Sequence, residues 1–305
     1  MIETESTASM EESLFNNIKI KSHLVNVIEK FDEMYGASDP CSGLTTGLGD
    51  FDEITGGLHP CDLIVIAGRP SMGKTTLAMN IVEHVAFQCG KAAIFFSLES
   101  TPETLALRFM SSIGRVNSHL LRTAQIEDED WPRVTTAVQL LSEAPIYIDN
   151  VLGETISSIC EKTHEISESC EDIGIVVIDY IQLLCCSGSS PENRTAELSA
   201  IIRQLKILAK ELNATVIAIS QLNRSLEQRY DKRPIMSDLR DSGSIEDDAD
   251  MICFIYRDEY YNQDSPDSGT AELIVAKHRN GPIGKIRTAY IDKYNRFEEL
   301  KFFPD

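Results

Sequence analysis

The sequence predicts an α/β fold: a mostly parallel, twisted sheet flanked by helices, with antiparallel strands along its edge. Three observations predict it. Short runs rich in β-branched residues (Ile146–Ile148, Ile175–Ile178, Val216–Ile219) alternate with helical patterns along the 305 residues, and runs of that kind belong to parallel strands buried on both faces. The stretch Gly68-Arg69-Pro70-Ser71-Met72-Gly73-Lys74-Thr75 matches G-x-x-x-x-G-K-[ST] between a strand-like Asp62–Ala67 and a helix start at Thr76–Val82. That strand–loop–helix context is what a phosphate-binding loop requires. The tail changes character, with Ala271–Ala276, Lys285–Ile291 and Phe297–Phe302 spaced as antiparallel strands.

Taken in order, residues 1–10 are polar and acidic without apolar periodicity, and disorder is expected there. From Glu11 to Tyr35, Leu14, Ile18, Leu24, Ile28, Phe31 and Tyr35 recur mostly at three- or four-residue steps, which predicts an amphipathic helix ending at Gly36. Ser38-Asp39-Pro40 breaks the chain after it. Residues 1–40 therefore read as a disordered start and a linker helix, and 41–305 as one domain. From Gly43 onward, strands are expected near 62–67, 92–97, 146–149, 174–179, 215–220 and 251–256. Helices at 102–113, 129–143, 154–169 and 195–212 provide the crossovers.

Composition narrows the classes. A hydrophobic fraction of 42% and a charged fraction of 25% suit a soluble globular protein. The longest apolar stretch, Ile173–Cys186, is too short for a membrane span and is interrupted by Asp179. The start Met1-Ile2-Glu3-Thr4-Glu5 has neither the basic nor the apolar part of a signal peptide, so no membrane partner and a cytoplasmic location are expected. Eight scattered cysteines without a C-x-x-C pair read as reduced thiols, and the six dispersed histidines suggest no metal site built from protein ligands alone. A net charge of −20 argues against a generic polyanion binder.

The chemistry starts at the phosphate loop. Its glycines, Gly68 and Gly73, let the backbone of Arg69, Pro70, Ser71 and Met72 wrap an anion, with N–H groups converging at the N-terminus of the helix that carries Thr76. Lys74 would reach the β- and γ-phosphates of ATP, and the Thr75 hydroxyl would bind Mg2+. A second magnesium contact belongs at the end of a hydrophobic strand, and Asp179 after Ile175-Val176-Val177-Ile178 supplies it. Residue 180 is Tyr and not the adjacent glutamate that often serves as base, so Glu99, ending Ala93–Leu98, becomes the candidate. A RecA-like topology would set that strand beside the phosphate loop with its carboxyl end at the nucleotide. Gln221, ending Ile217–Ser220, has the uncharged hydrogen-bonding character of a γ-phosphate sensor.

Beyond these motifs the chain resembles the C-terminal ATPase domain of DnaB-type replicative DNA helicases. The likeness rests on Thr46–Asp52 with Gly56-Gly57-Leu58, Gly68–Thr75, Phe96–Glu99, Ile178–Leu183, Ser220–Arg224, Asp238–Glu246 and Ala276–Pro282. It runs in unbroken order over roughly 43–300, and its last two segments are far more specific than a Walker motif. The resemblance implies a RecA-like P-loop ATPase fold and a homo-hexameric ring that moves on single-stranded DNA and unwinds duplex DNA at the expense of ATP. It makes Arg279 an arginine finger acting on the neighbouring subunit's ATP, with Lys277 approaching the same phosphates. A cation delivered in trans neutralises charge developing on the γ-phosphoryl group and ties hydrolysis to ring assembly.

The resemblance also implies single-stranded DNA contacts at Arg240, Asp241 and Gly243, and at a second loop from Cys186 to Arg194. Backbone amides and a few cations make much of such contact, which reconciles DNA binding with an acidic chain. A helicase loader is a further partner class. Full-length relatives carry an N-terminal helical domain, whereas about 40 residues precede the motor here, and the primase contact associated with that domain is in doubt. Two other classes share the Walker pair: RecA-fold regulatory or recombination ATPases, and catalytically weak replication accessory paralogues. The first lack Asp238–Glu246 joined to Lys277–Arg279; against the second, every expected catalytic position is filled.

Overall fold

A computed structural model describes residues 20–36, 41–150, 155–170, 172–186 and 194–300. The described residues from Gly43 onward form one compact unit, and the helix α1 (Ile20–Gly36) belongs to a separate unit. Leu24, Ile28 and Phe31 of its expected stripe are exposed, and Leu14 and Ile18 lie outside the described residues.

In the larger unit a nine-stranded sheet runs in the order β3-β2-β4-β5-β1-β6-β7-β8-β9. The strands are β1 (Leu63–Gly68), β2 (Ala92–Ser97), β3 (Ile146–Asn150), β4 (Ile173–Asp179), β5 (Thr215–Gln221), β6 (Met251–Tyr256), β7 (Thr270–His278), β8 (Gly284–Ile291) and β9 (Arg296–Glu299). The first six pair in parallel and the last three add antiparallel. Every residue of β1, β2, β4 and β6 is buried, which is why these strands read as unbroken apolar runs and not as alternating ones.

Helices cover the sheet: α2 (Gly49–Thr55), α3 (Lys74–Phe87), α4 (Pro102–Gly114), α5 (Ser118–Thr123), α6 (Trp131–Glu143), α7 (Ile156–Ser169), α8 (Arg194–Leu212) and α9 (Gly243–Asp248). Alternate residues of one strand feed two cores. Val176 and Ile178 join Ile201, Leu205 and Leu208 of α8, while Ile175 and Val177 join Leu77, Ile81 and Val85 of α3. Thr101 and Thr155 cap α4 and α7 by accepting from the backbone N–H groups of Thr104 and Ser158. The short helices α2 and α5 were not apparent in the periodicity, since six or seven residues carry too few repeats to register.

One expectation about strand order is corrected. β2 does not lie beside β1; β1 pairs with β5 and β6, and β2 with β3 and β4. The strand expected over 297–302 spans Arg296–Glu299, and 301–305 lie outside the described residues.

The antiparallel edge is fastened to α3. Asn80 Oδ1 accepts from the Phe297 N–H at 2.8 Å and its Nδ2 donates to the Asn295 carbonyl at 3.2 Å. One turn on, Glu83 accepts from Ser112 Oγ at 2.9 Å and pairs with Arg296 at 3.2 Å. Burial pushes the Glu83 carboxyl up to about 7, against the pull of Ser112 and Arg296. Its folded value lies above the unfolded one, so the folded protein holds more protons between about pH 4.5 and 7 and loses stability as pH rises through that window. Glu83→Gln is expected to match the wild type at pH 5 and to exceed it at pH 8 by up to about 3 kcal/mol, measured by urea denaturation. Parallel pH profiles for the two proteins would show that Glu83 ionises normally in the fold.

Candidate functional site

Four adjacent strands end side by side in the order β2, β4, β5, β1, and their carboxyl ends open into a cavity of about 420 Å3. Each end delivers a residue to it. Glu99 follows β2, Asp179 ends β4, Gln221 ends β5, and the phosphate loop follows β1. Pairing of Ser97 with Asp179 and of Gly68 with Gln221 keeps β2 level with β4 and β1 level with β5. Glu99 thus reaches the cavity through β4 and β5, without its strand touching β1.

The loop turns sharply at Gly73, the residue before α3, where φ is 97°. A Cβ there would stand 2.9 Å from Phe297 Cζ and 3.0 Å from Tyr290 Cε2, so both the left-handed backbone and the packing require glycine. Tyr290 and Phe297 meet edge to face at 4.9 Å, and the Arg257 guanidinium lies 3.8 Å over the Tyr290 ring. Arg257 also donates to the Ser71 carbonyl at 3.0 Å. The antiparallel edge strands therefore buttress the loop from behind. No side chain caps α3, and the residues at its start, Gly73 to Thr76, line the cavity, an arrangement that suits an anion.

Lys74 Nζ donates to the Arg69 carbonyl at 3.0 Å across the loop. Thr75 Oγ1 donates to Asp179 Oδ2 at 2.7 Å. Burial raises the Asp179 carboxyl; the Thr75 hydrogen bond and the charges of Lys74 and Arg108 oppose the rise, and Glu99 reinforces it. Lys74 is pushed down to about 8 by burial, with Asp179 and Glu99 favouring its charged form. An exposed carboxylate, a buried carboxylate, a hydroxyl and a half-buried ammonium thus line one anion-accepting cavity.

The other expected loop residues divide. Pro70, Ser71 and Thr76 line the cavity. Met72 is buried in the core, and Arg69 points away, donating to the Leu222 carbonyl at 2.9 Å and to Glu227 at 2.8 Å. Gly68, Arg69 and Met72 do not line the cavity, so what they offer an anion is backbone. Sequence reasoning missed Ser100, Arg108, Tyr180, Tyr290, Asp292 and Asn295, which also line it. Arg108 comes from α4, and the last three come from the β8–β9 region 200 residues downstream, where no local motif marks them.

Lys277 and Arg279 lie far from this cavity. Ile64 pairs with Met251 and Met251 with His278, so both cations stand level with the start of β1. The four residues from Ile64 to Gly68 place them about 13 Å from the loop end of that strand, at roughly 3.3 Å per residue. Lys277 Nζ donates to the Glu246, Asp247 and Ala249 carbonyls, the last at 2.7 Å. Arg279 pairs with buried Asp250 at 3.1 Å and donates to the Asp247 carbonyl at 3.0 Å.

The segment expected to contact DNA forms a 3-10 helix, Met236–Ser242, running into α9. Asp238, Leu239 and Ile245 anchor it as buried side chains. Arg240, Asp241 and Gly243 have described backbone only. Residues 187–193 lie outside the described residues; Arg194 opens α8, pairs with Glu197 and donates to the Gln182 carbonyl at 2.7 Å.

A mostly parallel sheet with a P-loop between β1 and α3, a strand-end aspartate beside it and antiparallel edge strands defines a RecA-like P-loop ATPase domain. Residues 43–299 match the family of the DnaB-like helicase C terminal domain, and the chain belongs to it. The chain is 44% identical over 282 residues to the replicative DNA helicase DnaB of Geobacillus stearothermophilus, covering 92% of this chain and 62% of that protein. It is 42% identical over 289 residues to the replicative DNA helicase DnaC of Bacillus subtilis, covering 95% and 63%. It spans about three fifths of the length of these relatives. Among solved structures, the ATPase domain of G40P superposes with a TM-score of 0.87 at 36% identity, covering 93% of this chain and 99% of that one. A DnaB-like replicative helicase studied for its interactions with primase gives 0.84 at 32%, covering 98% and 77%. Among the described residues no helix is long and apolar enough to cross a membrane.

An anion bound against Lys74 would restore the charge that burial disfavours. At pH 8.5 the free protein holds Lys74 partly neutral, so nucleotide binding is expected to take up a fraction of a proton there and to weaken as pH climbs toward 10. Titration calorimetry in two buffers of different ionisation heat measures the uptake. None in the wild type at pH 8.5 would mean that the lysine is already fully charged.

Proposed function

We propose that this chain is the motor of an ATP-driven replicative DNA helicase, assembling as a homo-hexameric ring that translocates on single-stranded DNA and unwinds duplex DNA in the cytoplasm. One arrangement supports this above the rest: the cavity collects Lys74, Thr75, Asp179, Glu99 and Gln221 from one subunit, while Lys277 and Arg279 stand at the opposite end of the sheet. Cations so placed have no use in their own site and suit a neighbour's.

In this reading the loop backbone and Lys74 hold the ATP phosphates. Glu99, exposed at the cavity, orients a water and accepts its proton as the oxygen bonds to the γ-phosphorus and the bond to ADP breaks. Gln221 hydrogen-bonds the γ-phosphate, and Arg279 with Lys277 of one subunit offsets charge on the next subunit's phosphates. Thr75 and Asp179, an oxygen pair already in contact, fit Mg2+, which neutralises phosphate charge when bound with the nucleotide. Among the described residues no cluster of three His, Cys, Asp or Glu could hold a metal without it. Arg240, Asp241, Gly243 and Arg194 face DNA, a loader is the further partner, and α1 serves as linker between subunits.

The test of the whole reading is whether the purified chain forms rings whose ATP hydrolysis accelerates when single-stranded DNA is added. Glu99→Gln is expected to bind ATP within a few-fold of the wild type while hydrolysis falls by about 10²–10⁴, the usual contribution of a general base. Normal turnover in that variant would assign the base elsewhere. Mixing Arg279→Ala with Lys74→Ala protein should restore part of the hydrolysis that each lacks alone, because mixed rings contain sites with an intact loop and an intact neighbouring finger. No recovery in rings shown to be mixed would place Arg279 in cis or outside the site.

A further inference from the structure

Gln221 stands in the wall between two cavities. One is the phosphate cavity; the other, of about 290 Å3, is lined by Arg69, Gln182, Asn223, Arg224 and Asp238 among others. The ladder between β4 and β5 stops at Ile178 and Ala218, so the last residues of β5 have no strand beside them on that side. The Gln182 side chain takes the strand's place. Its Oε1 accepts from the Gln221 N–H at 3.2 Å, and its Nε2 donates to Ser220 Oγ at 2.8 Å and to the Gln221 carbonyl at 3.3 Å. A primary amide is the one side-chain group that offers a donor and an acceptor as a backbone peptide does.

Gln182 is itself held from the opposite direction. It sits in a 3-10 turn, Ile181–Leu183, and its carbonyl accepts from Arg194 Nη2 at 2.7 Å. Arg194 pairs with Glu197, whose Oε1 accepts from the Cys186 N–H at 2.8 Å. One carboxylate thus ties together Cys186 and Arg194, and the arginine carries that anchor to Gln182.

We propose that Gln182 is a positioning residue for hydrolysis: its amide holds the Ser220–Gln221 backbone so that Gln221 presents to the phosphate cavity, and it passes displacement of the Arg194–Glu197 anchor to Gln221. This rests on the reading of Gln221 as the group that meets the γ-phosphate and of Arg194 as a residue facing DNA. The Gln182 side chain lines the neighbouring cavity and not the phosphate cavity, so its effect reaches nucleotide through Gln221.

The test compares Gln182→Leu and Gln182→Glu in the full chain, each alone and in a Gln221→Ala background, by ATP turnover with and without oligo(dT) and by binding of a fluorescent ATP analogue. Gln182→Leu is expected to keep analogue affinity and KM within about twofold of the wild type, to lose about tenfold or more in kcat, and to show a DNA response close to none. Gln182→Glu should recover most of the loss, since its Oε1 still accepts from Gln221 and the Ser220 hydroxyl can donate to it. In the Gln221→Ala background the leucine change should cost less than about twofold, as for two residues acting in series. Wild-type turnover in Gln182→Leu, or an equal fold-loss in both backgrounds, overturns the proposal. If the leucine variant does not melt cooperatively, Gln182→Asn, whose shorter stem cannot span the same contacts, is read in its place. A wild-type chain that hydrolyses ATP without responding to DNA would overturn the motor reading and leave the kcat comparison to decide the role of Gln182.

Discussion

The parallel pairing of β2, β4, β5 and β1 is the constraint on which the rest of the molecule depends. Hydrogen bonding in register fixes where the four strands end, with β5 running on past the end of β4, and burial on both faces leaves the sheet no freedom to slide. A slip of one residue would turn Ile175 and Val177 from the α3 core into the α8 core. Glu99, Asp179, Gln221 and the phosphate loop come from positions spread over 150 residues, yet they meet because their strands finish at one end of the sheet. Ligand sites in open α/β sheets lie at the carboxyl ends of the strands for the same reason.

The second constraint is electrostatic. Lys74, Asp179 and Glu99 form a small group whose charges offset one another, with burial working against both Lys74 and Asp179. At the other end of the sheet, Asp250 has the corresponding part: its carboxylate receives the Leu63 N–H at 2.8 Å, the Lys206 ammonium and the Arg279 guanidinium. Burying a carboxylate this deeply calls for such partners. The β1 strand therefore begins at one ionic group and ends at another.

Much of this was legible in the sequence, for identifiable reasons. The two-sided strands announced themselves as β-branched runs, and the loop residues as a motif whose neighbours had the right character. Glu99 and Asp179 were found because each closes such a run. What escaped notice depends on contacts distant in the chain. The separation of β2 from β1 is set by pairing that no local pattern encodes. Tyr290, Asp292 and Asn295 reach the cavity only because Asn80 holds Phe297 and Asn295 against α3. The outward turn of Arg69 follows from Leu222 and Glu227, more than 150 positions away.

The clamping of the phosphate loop has a thermodynamic consequence. Arg257 grips the Ser71 carbonyl, Lys74 closes on the Arg69 carbonyl, and two aromatic rings fill the space behind Gly73. A loop ordered in advance has little conformational entropy left to surrender when phosphates arrive, whereas a slack one gives up on the order of 1–2 kcal/mol for every residue that must be frozen. The cradle is prepaid during folding by the same edge strands that complete the sheet. Affinity for nucleotide in this domain is accordingly a property of strands β8 and β9 as much as of the loop that touches it.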